Sequence, residues 1–370
     1  MLKRIYVDNY KCLVNFELRL EYLALLLGPN GSGKSSVLDV VYALRQILSA
    51  KTKITDKGAF PASTLTRWQT RPVQVFEMDV ETEATGPLTY RLEIEHEQAA
   101  GRARIVLERL AAPTGPLFEF KDGSVQLYRD DHSLGPSFPG DWSESWLARY
   151  APHRDNPRPS RFLDFVRQIV VCGTYPPGIG AETRAEDPVL ARDAGNFASW
   201  YRGAVQERPD LLPDYTDALV EVISGFKGLR LESVGKDARV LVVTFEERGQ
   251  RYELYVDQIS DGQRAAVVLY ALLHLAAGQG HALFLDEPDN YVALAEIQPW
   301  LMALSDACGT TVPQVILCSH HPEMIDYLGS EHGILLHRAD SGPVIARPVA
   351  DLKVEDALKL SEMIARGWER

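Results

Sequence analysis

The apolar run Tyr22 to Leu27 (YLALLL) breaks into Gly28-Pro29-Asn30-Gly31-Ser32-Gly33-Lys34-Ser35, and Ser36 to Leu48 then carries apolar residues at helical spacing. The pattern GxxxxGK[ST] between a buried strand and a helix leaves such a chain few folds to choose from. Glycines let backbone N–H groups turn inward around phosphates without side-chain clashes, and the helix N-terminus adds its positive end. Lys34 supplies a point charge for the β- and γ-phosphates of a nucleotide, and the Ser35 hydroxyl suits Mg²⁺. Asn30, Gly31, Ser32, Gly33, Lys34, Ser35 and Ser36 are therefore the candidate phosphate-binding residues. The plainer account, a glycine turn with a surface lysine, leaves the order strand, loop, helix unexplained.

Far downstream, Ala282 to Leu285 (ALFL) leads into Asp286-Glu287-Pro288. A buried strand ending in two carboxylates is what metal-assisted phosphoryl transfer needs: Asp286 to hold Mg²⁺ through water, Glu287 to orient or deprotonate the attacking water. Alone, such a pair is more often an exposed strand end; with the phosphate loop in the same chain the functional reading prevails. Gln258-Ile259-Ser260-Asp261-Gly262-Gln263-Arg264 precedes an apolar helix, with Ser260 26 residues before Asp286. A glycine-containing turn there can aim a serine hydroxyl and backbone amides at a γ-phosphate, or Ser260 or Asp261 can simply cap the helix. Gln314 to Glu323 (QVILCSHHPE) reads as a strand followed by two histidines. A neutral imidazole at His320 or His321 can hydrogen-bond a γ-phosphate; a satisfied structural histidine is the ordinary alternative for either.

Between these motifs the period changes. From Val73 to about Tyr128 it is two, reading as an antiparallel meander with turns at Gly86-Pro87, Gly101, Gly115-Pro116 and Asp122-Gly123. Tyr150 to Arg167, rich in Pro and Arg, reads as an irregular connection; a short strand Ile169 to Cys172 and mostly helical sequence from Ala191 to Ile223 follow. RLESV, ARVLVVTFEE and YELYVDQ form a second, three-stranded meander. The last third alternates helix 262–278, strand 282–286, helix 292–305, strand 314–318, a short helix 322–328, strand 333–337 and a helix 354–367, which implies a mostly parallel sheet covered by helices. The fold class is thus α/β.

The motifs together resemble ABC-type ATPases. ISDGQR is similar to their LSGGQ signature and closer to the LSDG variant of RecF-like and SMC-like ATPases; the SHHPE segment resembles a TTHSPE-like switch segment, which puts the switch position at His320, 33 residues after Glu287. The resemblance implies ATP and Mg²⁺ as cofactors, hydrolysis served by Glu287 and His320, metal held by Ser35 and Asp286, and a γ-phosphate met in trans by Ser260, Gly262 and Gln263 of a second copy bound head to tail. Lys11, in the turn after the first strand, matches a basic position that approaches nucleotide in SMC-like heads; a solvated lysine is the bland alternative. Lys34 and Ser260 lie 226 residues apart, with no sustained heptad between them. That spacing looks like the stand-alone AAA_21 group, which shares its core with RecF and the overcoming-lysogenization-defect nucleases. Two departures stand out. Asp289-Asn290-Tyr291 replaces the usual E-x-x-LHP text, leaving the D-loop contact to Asp289 and Asn290, and the Q-loop glutamine is open, with Gln74 (better read as a surface glutamine) and the GTYPPG segment both available.

One ABC-type ATPase domain over 1–370 is expected: 1–135 the phosphate loop and β-meander lobe, 136–228 a helical and irregular insertion, 229–370 the signature, acidic-pair and histidine lobe. The expected function is an ATP-driven switch acting on a separate effector protein, a nuclease among the candidates, in antiphage defence or DNA maintenance. Only 50 residues follow His320, too few for a nuclease domain of its own. A RecF-like clamp on DNA or RNA is the alternative, supported by Arg149, Arg154, Arg158, Arg161 and Arg167, with Asp155 and Asp164 offsetting them; the net charge of −12 opposes it. No membrane partner is expected, because the longest apolar run, Ala265 to Ala277, is too short to span a bilayer, and a cytoplasmic location follows from the polar N-terminus and four scattered cysteines.

Overall fold

Leu23–Leu27 has no polar residue to offer water, and in the computed structural model all five of its residues are buried. The structure describes residues 1–50, 52–82, 85–97, 101–151, 156–276, 280–338, 342–352 and 359–365. The chain divides into two compact units, Met1–Ile169 with Asp326–Arg370, and Val170–Ile325.

In the first unit the phosphate-loop strand pairs in parallel with Gly333–Arg338, which pairs antiparallel with Val344–Pro348. The helix Lys34–Leu48 follows the loop. A second sheet has eight antiparallel strands, in the order Phe16–Arg19, Leu2–Asp8, Val73–Thr82, Gly86–Glu97, Arg102–Ala112, Gly115–Lys121, Ser124–Tyr128, Leu134–Pro139. Its register follows from the period of two. Phe76 faces Leu92, Met78 faces Tyr90 and Val80 faces Leu88, all buried, while Glu77 faces Arg91 on the other side. Glu77 also takes Arg4 at 2.5 Å, and Asp79 takes Arg4 at 2.6 Å, a cross-strand charge ladder on the outer face.

The second unit takes the strand Ile169–Cys172 from Val170 onward; this strand lies beside Ala282–Asp286, which runs parallel to Val315–Cys318. A smaller antiparallel sheet centres on Ala238–Glu247, flanked by Phe226–Val234, Gln250–Tyr255 and the two-residue Glu182–Thr183. Helices Phe197–Glu207, Leu212–Val222, Asp261–Ala271 and Leu294–Ala307 complete it. Leu272–Ala276 continues the third of these as π-helix; positions 277 and 278 of the expected helix lie outside the described residues. The division between the units falls within the helix Pro322–His332, four residues longer than expected. No helix among the described residues is long and apolar enough to cross a membrane.

Most expected elements are present, and the differences have physical causes. Pro157–Arg167 is a helix rather than an irregular connection. Pro157 starts it, where a missing N–H costs nothing, and Phe162, Leu163 and Val166 form its buried face. The ring of Phe162 stacks on Tyr90 at 5.6 Å. Leu134–Pro139 is an additional strand whose two prolines are tolerated because it lies at the sheet edge. Of the expected helix 354–367, Leu360–Ala365 is helical and residues 354–358, 366 and 367 lie outside the described residues.

Gln74 is fully buried rather than on the surface. Its amide donates to the Asn9 carbonyl at 3.0 Å and to Thr64 Oγ1 at 3.2 Å, and its Oε1 lies 2.9 Å from His96 Nε2. Burial lowers the His96 pKa from its ordinary 6.5, and Nδ1 has no partner to steady a second proton. Below about pH 6.5 the unfolded chain takes up a proton at this ring that the folded chain refuses, so stability falls as pH drops through that value toward the lowered pKa. His96→Gln should flatten the dependence of unfolding free energy on pH between about 7 and 5.5, measured by denaturant titration. An unchanged slope would show that His96 does not contribute it.

Candidate nucleotide-binding site

In the first unit the phosphate loop rests on a rigid turn. Asn9 is fully buried and donates to the carbonyls of Arg71 at 2.8 Å and Val73 at 2.9 Å. Tyr10 packs edge-on against Phe60 and Phe76, each at 5.9 Å. These contacts fix Cys12 and Leu13, which border Gly33. A Cβ on Gly33 would sit 3.1 Å from Cys12 Sγ and from Val344 Cγ2, at a φ of +101°, so only glycine fits. Gly33 is the N-cap of Lys34–Leu48 and no side chain caps that helix. A helix N-terminus without a side-chain cap can meet a ligand or water.

Lys34 is 6% exposed, and its Nζ donates to the Gly28 carbonyl at 2.7 Å and the Pro29 carbonyl at 3.3 Å. Ser32 is buried and its Oγ has no partner. Asn30, Gly31 and Ser35 are exposed and Ser36 is half-buried. Lys11 is exposed; its Nζ pairs with Asp39 at 2.7 Å, on the helix the loop opens. A buried ammonium turned onto its own loop and an uncapped helix end make a cradle that a polyphosphate can enter.

In the second unit Ala282–Asp286 ends at the acidic pair. Asp286 Oδ2 accepts from Arg192 Nη2 at 2.7 Å. Glu287 adopts a left-handed φ of +48°, costing on the order of 1 kcal/mol, and its N–H is tied to the Cys318 carbonyl at 2.8 Å. One Glu287 oxygen lies 3.2 Å from His320 Nδ1 and the other accepts from Asn290 at 2.7 Å. The structure therefore joins Glu287 and His320, the two expected catalytic residues. His321 turns the other way, its N–H on Ser319 Oγ and its Nδ1 accepting from the Glu323 N–H at 3.3 Å.

The signature segment shows the capping geometry in full. Ser260 is the N-cap of Asp261–Ala271; its Oγ accepts from the Gln263 N–H at 3.3 Å, and Gln263 Oε1 accepts from the Ser260 N–H at 3.2 Å. Ser260 is exposed. A Cβ on Gly262 would come 2.8 Å from the Tyr291 carbonyl, so the glycine lets the segment after the acidic pair approach this turn. Arg264 Nη2 pairs with Asp261 at 2.7 Å, and its Nη1 donates to the Pro176 carbonyl at 2.9 Å.

Sequence reasoning missed two residues here, Arg192 and Ser319, and gave Asp289 only a D-loop contact. Arg192 carried no motif. Ser319 and Asp289 meet at 2.7 Å, both buried, and brace the loop that carries His320. Three described members of the expected arginine series are engaged locally. Arg149 pairs with Glu144 at 2.6 Å, Arg158 donates to the Thr85 carbonyl at 3.0 Å, and Arg167 donates to the Ala148 carbonyl at 3.4 Å. Arg161 is exposed, and Arg154 and Asp155 lie outside the described residues.

A family model, AAA_21, described as "AAA domain, putative AbiEii toxin, Type IV TA system", matches residues 23–326. Among solved structures, an Smc head bound to the C-winged helix domain of ScpA is similar over 94% of this chain and 98% of that one, with a TM-score of 0.57 at 12% identity. The Smc head of Pyrococcus furiosus with an extended coiled coil, bound to the C-terminal domain of ScpA, aligns over 100% and 99%, with a TM-score of 0.54 at 11% identity. At such identities the likeness shows the fold alone, that of the Smc head domains. A comparison with curated proteins finds no match.

Ser319→Ala should lower the unfolding free energy by about 1–3 kcal/mol, because it leaves the buried Asp289 carboxylate without its donor. Urea unfolding measures this; a change below about 0.5 kcal/mol would contradict the bracing role.

Proposed function

We propose, for a chain that belongs to the AAA_21 family of AAA domains, that it is an ATP-binding and ATP-hydrolysing switch in which two copies close head to tail on nucleotide and thereby control a separate effector protein. The observation that carries this reading is the presence in one chain of two unlike helix N-termini of the kind that can meet an anion. One, at Gly33, has no side-chain cap and lies beside the Lys34 ammonium; the other, at Ser260, presents an exposed serine hydroxyl and Gln263. An ATPase that completed its site alone would need only the first.

In this reading Lys34, Ser35, Ser36 and the amides of Asn30 to Gly33 hold the phosphates, with Lys11 beside them. Glu287 positions or deprotonates the attacking water while His320, already at its carboxylate, meets the γ-phosphate. Ser260, Gly262 and Gln263 of the second copy cap the same phosphate. Ser35 and Asp286 are the residues that would hold Mg²⁺. The donor set fits, since Mg²⁺ takes hard oxygens and shares its shell with waters and phosphates, so a hydroxyl and one carboxylate suffice. Bound there, it would neutralise charge on the transferring phosphoryl group.

The Smc heads are bound to domains of ScpA, which supports the reading of a separate partner protein, and the family's description among toxin–antitoxin systems suits control of an antagonistic effector. Antiphage defence or DNA maintenance is the setting proposed. The nucleic-acid clamp gains no support from the arginine series, whose members Arg149, Arg158 and Arg167 are engaged locally.

Glu287→Gln should bind ATP without turning it over and accumulate as a dimer, and light scattering should report twice the protomer mass with Mg·ATP and one protomer without it. A single protomer mass in both conditions would remove the proposal.

A further inference from the structure

The acidic strand end already holds a cation of its own. Arg192 Nη2 lies 2.7 Å from Asp286 Oδ2, and both side chains are mostly withdrawn from water, 23% and 15% exposed. The guanidinium lies against the backbone of Gly173: a Cβ there would come 2.9 Å from Arg192 Nη1 and 3.1 Å from Asp286 Cβ. The Arg192 main chain is fixed separately, because its carbonyl accepts from the Gly173 N–H at 2.7 Å, and the next carbonyl, of Asp193, accepts from the Tyr175 N–H at 3.1 Å. The side chain can therefore leave the carboxylate without any movement of the backbone that carries it.

We propose that Arg192 is a placeholder for the divalent cation at Asp286, neutralising this carboxylate until metal and nucleotide arrive together and then giving it up. The inference rests on the reading that Asp286 takes Mg²⁺ beside ATP. A carboxylate withdrawn from water is costly if left unpaired, so a resident guanidinium keeps the strand end stable in the nucleotide-free protein. The same guanidinium competes with the metal. A charge-assisted hydrogen bond of this length has to be broken before Asp286 can serve a metal ion, which raises the metal concentration needed for loading. The arrangement ties metal loading to the presence of a phosphate chain, because Asp286 gains from exchanging its partner only when the incoming ion is also held elsewhere. Arg192 touches no reacting atom in this scheme; it acts by occupying a ligand position.

The test is a titration of the full chain with Mn²⁺ at saturating ATPγS, read by the electron paramagnetic resonance of free Mn²⁺. Arg192→Gln keeps the side chain's bulk and a donor but removes its charge, and should lower the Mn²⁺ midpoint roughly tenfold. Arg192→Ala should lower it at least as far, and Arg192→Lys should fall between Gln and wild type; thermal unfolding identifies any variant that does not fold. An unchanged or raised midpoint in folded Arg192→Gln and Arg192→Lys, with wild type still binding ATPγS, would overturn the placeholder role alone and leave a purely structural ion pair. Failure of the wild type to bind ATPγS at any Mn²⁺ concentration would overturn this inference together with the function it rests on.

Discussion

The Lys34 ammonium, nearly out of water, has the carbonyl oxygens of Gly28 and Pro29 as its partners. Burying a cation this way is tolerable because two backbone acceptors replace its hydration, yet dipoles compensate a full charge less well than an anion does. The loop can hold this posture because the strand before it is buried on both faces, Gly33 fits beside Cys12 and Val344, and Asn9 and Gln74 immobilise the turn behind. Scaffold and anion hunger are properties of the same few residues. The nucleotide-free unit is a phosphate cradle whose cation is met by carbonyl dipoles.

The second unit solves the opposite problem. Its strand end gathers Asp286, Glu287 and Asp289, and each carboxylate has a separate partner: Arg192, Asn290 with His320, and Ser319. Distinct partners keep the three side chains apart and fix their directions. The signature turn lies against the same loop, since Gly262 meets the Tyr291 carbonyl. Residues assigned in sequence to a cis role and to a trans role are thus held by one local framework.

Much of this was legible in the chain. The phosphate loop, the acidic pair and the histidine segment could be read because each needs a fixed residue type at a fixed distance from a strand or helix end. The meander could be read because one face of Val73–Thr82 and Gly86–Glu97 is buried and the other is charged. What escaped were features that depend on partners distant in sequence. Arg192 lies 94 residues from Asp286, in a loop with no periodicity to mark it. Gln74 looked like a surface residue at a strand start, and only Asn9, Thr64 and His96 together make it structural. The helix Pro157–Arg167 was hidden by prolines that a first turn accepts. The cap at Ser260 was one of two readings kept open, and the geometry realises it without removing the hydroxyl from the surface.

The account depends on a nucleotide held by one copy being closed over by another. Pro29 lies within the phosphate loop and Asp257 just before the signature turn; both are exposed, and neither side chain is assigned to phosphate, metal or catalysis. Mixing Pro29→Cys protein with Asp257→Cys protein in a Glu287→Gln, Cys12→Ser background and adding a short thiol-to-thiol linker tests the contact directly. The account requires a covalent dimer joining the two proteins, formed with Mg·ATP and absent without it. Tight ATP binding with no such dimer would contradict it.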